Sequence, residues 1–88
     1  MTSWDEAKRR SNLAKHGVDF AIAEQFDFHT AVFCEDDTEA YGEQREIAIG
    51  WIDDELYVYV YTLRDDEDHA ISLRKATPKE RRRYVEEI

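Results

Sequence analysis

A set of side chains in this sequence combines the chemistry needed to cleave a phosphodiester. They are cations and titratable groups near the predicted ends of helices and strands: Lys15, His16, Glu43, Arg45, Arg64, His69, Ser72, Arg74 and Tyr84. Cleaving RNA without a metal requires a base for the 2′-hydroxyl proton, an acid for the 5′-oxygen and cations on the phosphorane. Histidine or glutamate fills the first two roles, and the planar fork of arginine suits the third. These residue types are sufficient for that reaction, but they are not specific to it.

The charged members of this set also have a structural interpretation. Glu43 and Arg45 could pair across a strand. Arg64 and Arg74 could form ion pairs with the acidic turn at 65–68. The residues alone therefore leave open whether these charges act on a substrate or only on one another.

The histidines and tyrosines are open to two interpretations as well. His16 precedes a glycine at a predicted helix end, where a cation favours the helix dipole. His16, His29 and His69 have no partner at helical or strand ligand spacing, so no metal site and no cofactor are predicted. The alternating tyrosines of 57–61 could stack bases, although such a face more often packs beneath a helix.

Charge is polarised along the chain. The sequence holds 21 acidic and 12 basic residues, for a formal net charge of −9, which excludes a generic basic nucleic-acid binder. Segments 1–16 and 74–88 are net basic, and everything between them is net acidic. If the fold brings the two ends together, they form one cationic face on an anionic body. Otherwise the arginines are a solvated helix face.

Length and composition set the class of protein. The 88 residues, 42% of them hydrophobic, predict one folded domain over 1–88. The longest apolar run, 47–52, is too short for a membrane helix, and no signal segment is evident, so a soluble, cytoplasmic protein with no membrane partner is expected. Cys34 is interpreted as a small buried hydrophobe. Without a glycine-rich phosphate loop or a zinc-protease motif, nucleotide hydrolysis and zinc proteolysis are disfavoured.

The N-terminal third predicts two helices. Ser3 and Glu6 fit a capping box, which starts a helix over 4–15. Gly17 can adopt the left-handed conformation that ends it, and Asp19 can cap a second, shorter helix. That second helix is expected to bury the apolar stripe of Val18, Ile22, Ala23 and Phe26.

The rest of the chain predicts four strands and a helix. A short strand over 31–34 leads into an acidic loop that ends at Gly42. Alternating apolar residues predict a hairpin of 47–51 and 56–60, joined by Asp53 and Asp54. A fourth strand covers 69–73, and a C-terminal helix then begins at a strong cap formed by Thr77, Pro78 and Glu80. The fold class is α+β: two N-terminal helices, a four-stranded, mainly antiparallel sheet and a C-terminal helix.

At this point a resemblance to a known family becomes visible over nearly the whole chain. Its most specific segments are Lys15-His16-Gly17-Val18 followed by Phe20, and Ile71-Ser72 followed by Arg74 and Ala76. The remaining matching positions are Trp4-Asp5, Lys8, Asn12, Ala23, Phe26, Gly42-Glu43, Arg45, Ile49-Gly50, Tyr61-Thr62, Arg64, Glu80-Arg81 and Tyr84. With these residues the sequence closely resembles the BrnT toxin family.

The resemblance implies a bacterial or archaeal type II toxin with a RelE-like fold. Members of this kind are ribonucleases that block translation and are neutralised by a BrnA-type antitoxin, usually encoded beside the toxin. The resemblance further implies that operator DNA is bound through the antitoxin and not through this chain.

The resemblance also carries over site residues where the motif matches. As catalytic groups it implies His16, Glu43, Arg64 and Arg74, and as RNA-binding groups Lys15, Arg45, His69, Ser72 and Tyr84. In this hypothesis Arg64 and Arg74 clamp the phosphate, His16 or Glu43 is the base, and Lys15 is a supporting cation. The family often has arginine where His69 stands, so this position either weakens phosphate binding or supplies an acid or base.

The acidic charge leaves more than one function open. RNA affinity comes largely from cation contacts, and a body of −9 repels RNA at long range. Either a local cationic face suffices, for example in a salty cytoplasm that screens repulsion, or the chain keeps the toxin fold only to bind its antitoxin. A purely structural domain with paired arginines is a third possibility.

Overall fold

The computed structural model describes residues 2–35 and 45–88. Within these two ranges the chain forms five strands, two α-helices and one 3₁₀ helix. In chain order these are β1 (Ser3–Trp4), α1 (Glu6–His16), the 3₁₀ helix (Phe20–Gln25), β2 (Val32–Glu35), β3 (Glu46–Ile52), β4 (Glu55–Arg64), β5 (Glu67–Lys75) and α2 (Pro78–Glu87). The predicted acidic loop and Glu43 lie outside the described residues.

The strands form one mixed sheet in the order β1-β5-β4-β3-β2. The three pairs among β2, β3, β4 and β5 are antiparallel, whereas β1 pairs with β5 in parallel. The α+β class is confirmed, but the predicted four-stranded sheet is wrong by one strand. Two residues are too few for an alternating pattern, so β1 leaves no signal in the sequence.

Two tight turns, each formed by a pair of aspartates, connect the central strands. Asp53 and Asp54 join β3 to β4 as predicted, and Asp65 and Asp66 join β4 to β5. Asp53, Asp65 and Asp66 have φ values of 52°, 52° and 64°, the left-handed conformation that aspartate tolerates better than most residues. The acidic turn thus has a backbone role that is independent of its charge.

The N-terminal helix begins two residues later than the capping pattern predicts. Asp5, and not Ser3, is the N-cap, and its carboxylate accepts a hydrogen bond from the Ala7 N–H at 2.9 Å. Ser3 is unavailable because its backbone pairs with His69 in β1 and its hydroxyl lies 2.8 Å from His69 Nδ1. Gly17 ends the helix with φ 68°, as predicted.

The second predicted helix is a 3₁₀ helix. Asp19 caps it as predicted, accepting from the Ala21 N–H at 3.0 Å. The apolar stripe is buried, except that Ile22 is only partly covered, and Phe20, which the stripe did not include, is fully buried. The prediction of two N-terminal helices therefore holds only if this short 3₁₀ turn is counted.

The two faces of the sheet are covered by different elements. The 3₁₀ helix packs on the face that carries the alternating tyrosines 57–61, and α2 packs on the opposite face through Tyr84. The interpretation that the tyrosines pack beneath a helix is thereby confirmed. α1 packs along β5, and α2 packs over β3. The two basic segments thus lie against different parts of the sheet, which favours the alternative that their arginines form a solvated helix face over a single cationic face.

Candidate active site

A buried amide holds α1 against the edge of the sheet. Asn12 Nδ2 donates to the carbonyls of Val18 at 3.0 Å and Leu73 at 2.7 Å. The Leu73 N–H in turn donates to Asn12 Oδ1 at 3.1 Å. β1 pairs only with His69 and Ala70 of β5. The backbone N–H and C=O groups on the edge of β5 beyond Ala70 therefore need another hydrogen-bond partner. Asn12 supplies it and fixes which side of α1 faces β5.

A groove opens between α1 and β5 beside this amide. Its volume is about 180 Å³, and it is lined by Lys8, Ser11, Asn12, Lys15 and His16 of the helix and by Ile71 and Ser72 of the strand. The helical residues recur at three- and four-residue spacing, so they share one face of α1. Two lysines, an imidazole and two hydroxyls line the groove, and within the described part of the chain no carboxylate does. Such a lining favours a bound anion.

A break in the strand pairing shapes the other wall of the groove. Val60 pairs with Ser72 but the next residue, Tyr61, pairs with Ala70, so Ile71 is the extra residue of a β-bulge. Bulges bend the strand and change the direction of neighbouring side chains, and they occur often beside active sites. The bulge in β5 lies where the strand lines the groove.

The structure brings together three of the site residues predicted from the sequence: Lys15, His16 and Ser72. It adds Lys8 and Ser11, which the prediction of the site did not include. The sequence does contain a pattern that could have indicated them, because positions 8, 11, 12 and 15 lie on one face of a helix. Whether this face belongs to the site depends on which side of α1 packs against the sheet. The local sequence does not specify that side.

Arg74 is held by an ion pair. Its guanidinium donates to both carboxylate oxygens of Glu80 at the start of α2, at 2.7 and 2.9 Å. Hydrogen bonding to Arg74 and to the Thr77 N–H lowers the pKa of Glu80 to about 2, and Glu80 raises the pKa of Arg74. The structural alternative of an ion pair is thus confirmed for Arg74, but its partner is Glu80 and not the acidic turn.

Arg64 and Arg74 stand far apart on the sheet. Arg64 pairs with Glu67 beside the turn, whereas Arg74 pairs with Val58. Their backbones are on the order of 20 Å apart, since a strand rises about 3.3 Å per residue. With Arg74 engaged by Glu80, the geometry does not favour a clamp in which both arginines hold one phosphate.

The other predicted site residues that the structure describes do not line the groove. His69 is hydrogen-bonded to Ser3, and Arg45 directly precedes β3. Tyr84 is only 3% exposed. Its hydroxyl accepts a hydrogen bond from Trp51 Nε1 at 3.1 Å and donates one to the Thr30 carbonyl at 2.9 Å. This position makes Tyr84 the anchor of α2 and leaves almost none of its ring accessible to RNA.

Two kinds of feature are absent from the described residues: a cluster of metal ligands and a membrane-spanning helix. Across 2–35 and 45–88, no group of three or more histidine, cysteine, aspartate or glutamate side chains is placed to hold a metal ion. Nor does any helix in these ranges have the length and apolar character needed to cross a membrane.

Taken together, the mixed sheet and the cation-lined groove define a small α+β protein that can bind an anion between a helix and an edge of its sheet. The family model described as "Ribonuclease toxin, BrnT, of type II toxin-antitoxin system" matches residues 4–80. The chain therefore belongs to the BrnT family of ribonuclease toxins, which confirms the resemblance found in the sequence.

A solved structure supports the same conclusion. The 1.1 Å crystal structure of the Brucella abortus ribonuclease toxin BrnT is 32% identical in sequence and superposes with a TM-score of 0.69. The match covers 88% of this chain and 97% of the Brucella chain. None of the curated proteins searched matches this chain.

Proposed function

We propose that this toxin cleaves RNA within the groove between α1 and β5, at internal phosphodiesters and without a metal ion. The observation that carries the proposal is the gathering of His16 with Lys8 and Lys15 along one groove. In the cytoplasm such cleavage inhibits translation, and a BrnA-type antitoxin encoded nearby neutralises it. Operator DNA is then bound by the complex through the antitoxin.

The groove residues divide the reaction among them. Lys8 and Lys15 neutralise the phosphate and stabilise the charge that develops on the phosphorane. Histidine is the side chain that exchanges protons near neutral pH, so His16 takes the proton of the attacking 2′-hydroxyl. The imidazolium so formed can return that proton to the departing 5′-oxygen. The products are a 2′,3′-cyclic phosphate and a 5′-hydroxyl, and the hydroxyls of Ser11 and Ser72 are available to donate to phosphate oxygens.

The net charge of −9 does not oppose this proposal at short range. At physiological ionic strength, charges are screened beyond about 8 Å, so the acidic body acts mainly on the approach of RNA. Inside the groove the charged lining side chains are those of Lys8 and Lys15. We therefore expect RNA to associate slowly with the protein, and the groove to bind a phosphate despite the negative net charge.

The experiment that tests this function uses the purified chain, a defined single-stranded oligoribonucleotide and EDTA. The expected result is cleavage that EDTA leaves unchanged, with a 2′,3′-cyclic phosphate end identified by mass spectrometry. A single 2′-deoxy substitution at the cut site, the matched control, should abolish cleavage because the nucleophile is gone. Cleavage that persists on the deoxy substrate would refute the assigned mechanism.

A second function is favoured by the ion pair of Arg74 with Glu80. This pair removes a cation that phosphate binding would otherwise use, as expected of a toxin fold that serves only to bind its antitoxin. The two functions differ in a simple measurement. A binding module arrests neither growth nor translation when expressed alone, whereas the nuclease arrests both and is rescued by the antitoxin.

A further inference from the structure

A second cavity lies on the tyrosine face of the sheet. Its volume is about 400 Å³, within the range of about 300–1,000 Å³ that ligand pockets span. It lies between the 3₁₀ helix and the start of β5, and it is lined by Thr2, Ala23, Glu24, Phe26, Phe28 and Asp68. Among the residues that the structure describes, it shares no lining residue with the groove between α1 and β5. The RNA chemistry proposed above therefore leaves this cavity unused.

A carboxylate is fixed in the wall of this cavity. Asp68 Oδ2 accepts hydrogen bonds from the hydroxyls of Thr2 at 2.9 Å and Tyr59 at 2.6 Å. Tyr59 is fully buried, and burial together with Asp68 raises its pKa, so its hydroxyl remains a donor. Both bonds end on the same oxygen of Asp68, so the hydroxyls of Thr2 and Tyr59 hold this carboxylate in place.

An exposed aromatic ring lies beside this carboxylate. Phe28 is 37% exposed, yet its ring is held edge-on against Phe26 at 4.9 Å and Tyr61 at 5.6 Å between centroids. A ring kept in place with one side open to solvent can receive a flat cation. Glu24, on the 3₁₀ helix, adds a second carboxylate to the same cavity.

The two carboxylates and the exposed ring together indicate which chemical group the cavity can bind. Two carboxylates repel a phosphate, so RNA does not fit the cavity. A guanidinium can stack on the open ring while it donates hydrogen bonds to carboxylate oxygens, which an ammonium does less well. The acidic charge of the whole chain, −9, likewise complements a basic protein partner.

We propose that this cavity receives an arginine side chain of the antitoxin. The inference rests on the antitoxin partnership in the proposed function. It adds the place where the partner is bound and the side chain that is recognised. Because the described lining residues of the cavity and of the groove are all different, antitoxin affinity and RNA cleavage are separable by substitution.

Isothermal titration with the protein encoded by the adjacent open reading frame tests the proposal. Glu24→Gln is expected to raise Kd about fivefold and Phe28→Ala about tenfold, the scale of one charged and one cation–π contact. Glu86→Gln, an exposed carboxylate on α2, is the matched control and should leave Kd unchanged. All three variants should cleave RNA like the wild type, whereas Lys15→Gln should lose cleavage and keep its antitoxin affinity. Asp68 is left intact because its substitution also removes the bonds to Thr2 and Tyr59.

Double-mutant cycles then identify the recognised side chain. Each arginine of the antitoxin is replaced by alanine and combined with Phe28→Ala, and one arginine should show at least fivefold coupling. Kd values within twofold of wild type for both cavity variants would overturn the proposal, as would a wild-type chain that does not bind the neighbouring protein. Coupling to a lysine alone would overturn the assignment of arginine. A chain that binds in this way but does not cleave RNA would refute only the nuclease function.

Discussion

Asn12 on α1 and Leu73 on β5 exchange two hydrogen bonds across 61 residues of sequence. The amide takes the place of a neighbouring strand at the point where β1 has ended. It also turns the side of α1 that carries Lys8 and Lys15 toward β5. The same contact therefore closes the edge of the sheet and builds the groove.

Asn12→Ala should lower the free energy of unfolding by about 2–4 kcal/mol, because buried backbone groups of Val18 and Leu73 lose their partners. Chemical denaturation measures the change. The neighbouring Ser11→Ala, exposed on the same helix, should cost less than about 0.5 kcal/mol. A loss below 1 kcal/mol for Asn12→Ala would mean that the amide does not fix α1.

The ion pair of Arg74 with Glu80 predicts a loss of stability in acid. The folded-state pKa of Glu80 is about 2, below its ordinary value of 4.5, so the folded protein binds this proton more weakly than the unfolded chain. The contribution is complete above pH 4.5 and mostly lost by pH 2. Because both side chains are partly exposed to solvent, it amounts to about 1–2 kcal/mol.

Unfolding of the wild type and Glu80→Gln between pH 7 and pH 2 measures this contribution. Glutamine keeps the capping hydrogen bonds and removes the charge, so the difference between the two proteins should shrink as the pH falls. A difference that does not change with pH would show that the ion pair contributes nothing through its charge.

Tyr84→Phe should destabilise the protein by about 1–2 kcal/mol, since Trp51 Nε1 and the Thr30 carbonyl each lose a hydrogen-bond partner. Thermal unfolding measures the loss. If Tyr84 only anchors α2, RNA cleavage at a temperature where the variant is folded should equal that of the wild type. A variant that is stable but has lost RNA affinity would restore Tyr84 to the RNA-binding site.

The two groove lysines predict a change in salt dependence. Binding of an uncleavable 2′-deoxy oligonucleotide, measured by fluorescence anisotropy at several salt concentrations, should weaken in Lys8→Gln/Lys15→Gln. The slope of log K against log salt should fall in magnitude by about 1.4, since each phosphate contact to a single strand contributes about 0.7. Lys79→Gln on α2 is the control and should keep the wild-type slope, and an equal slope in the double variant would place RNA binding elsewhere.

The parts of the fold that were predictable from sequence are those with local causes. The cap at Thr77 with Glu80, the turn at Asp53 and Asp54, and Gly17 at a helix end each depend on residues within one turn of one another. These features determine where elements begin and end. They do not determine which elements meet, and that is where the sequence predictions differed from the structure.

The groove and the Arg74 ion pair depend on contacts between distant segments. Glu80 was predicted to cap α2, and it does so, but its second role requires β5 to end beside that cap. Lys8 entered the site only because Asn12 bonds Leu73. Residue types and spacing thus predicted Lys15, His16 and Ser72, which line one groove, together with Arg64, Arg74 and Tyr84, which do not line it.

The most direct test of the account compares two exposed histidines in one cleavage assay. His16 lies in the groove and His29 lies outside it, in the segment between the 3₁₀ helix and β2. With purified, folded variants and a labelled oligoribonucleotide, His16→Gln should cleave at least about 100-fold more slowly than the wild type, the scale of a lost general base. His29→Gln should cleave at the wild-type rate. Equal rates for His16→Gln and the wild type would contradict the assignment of the groove as the active site.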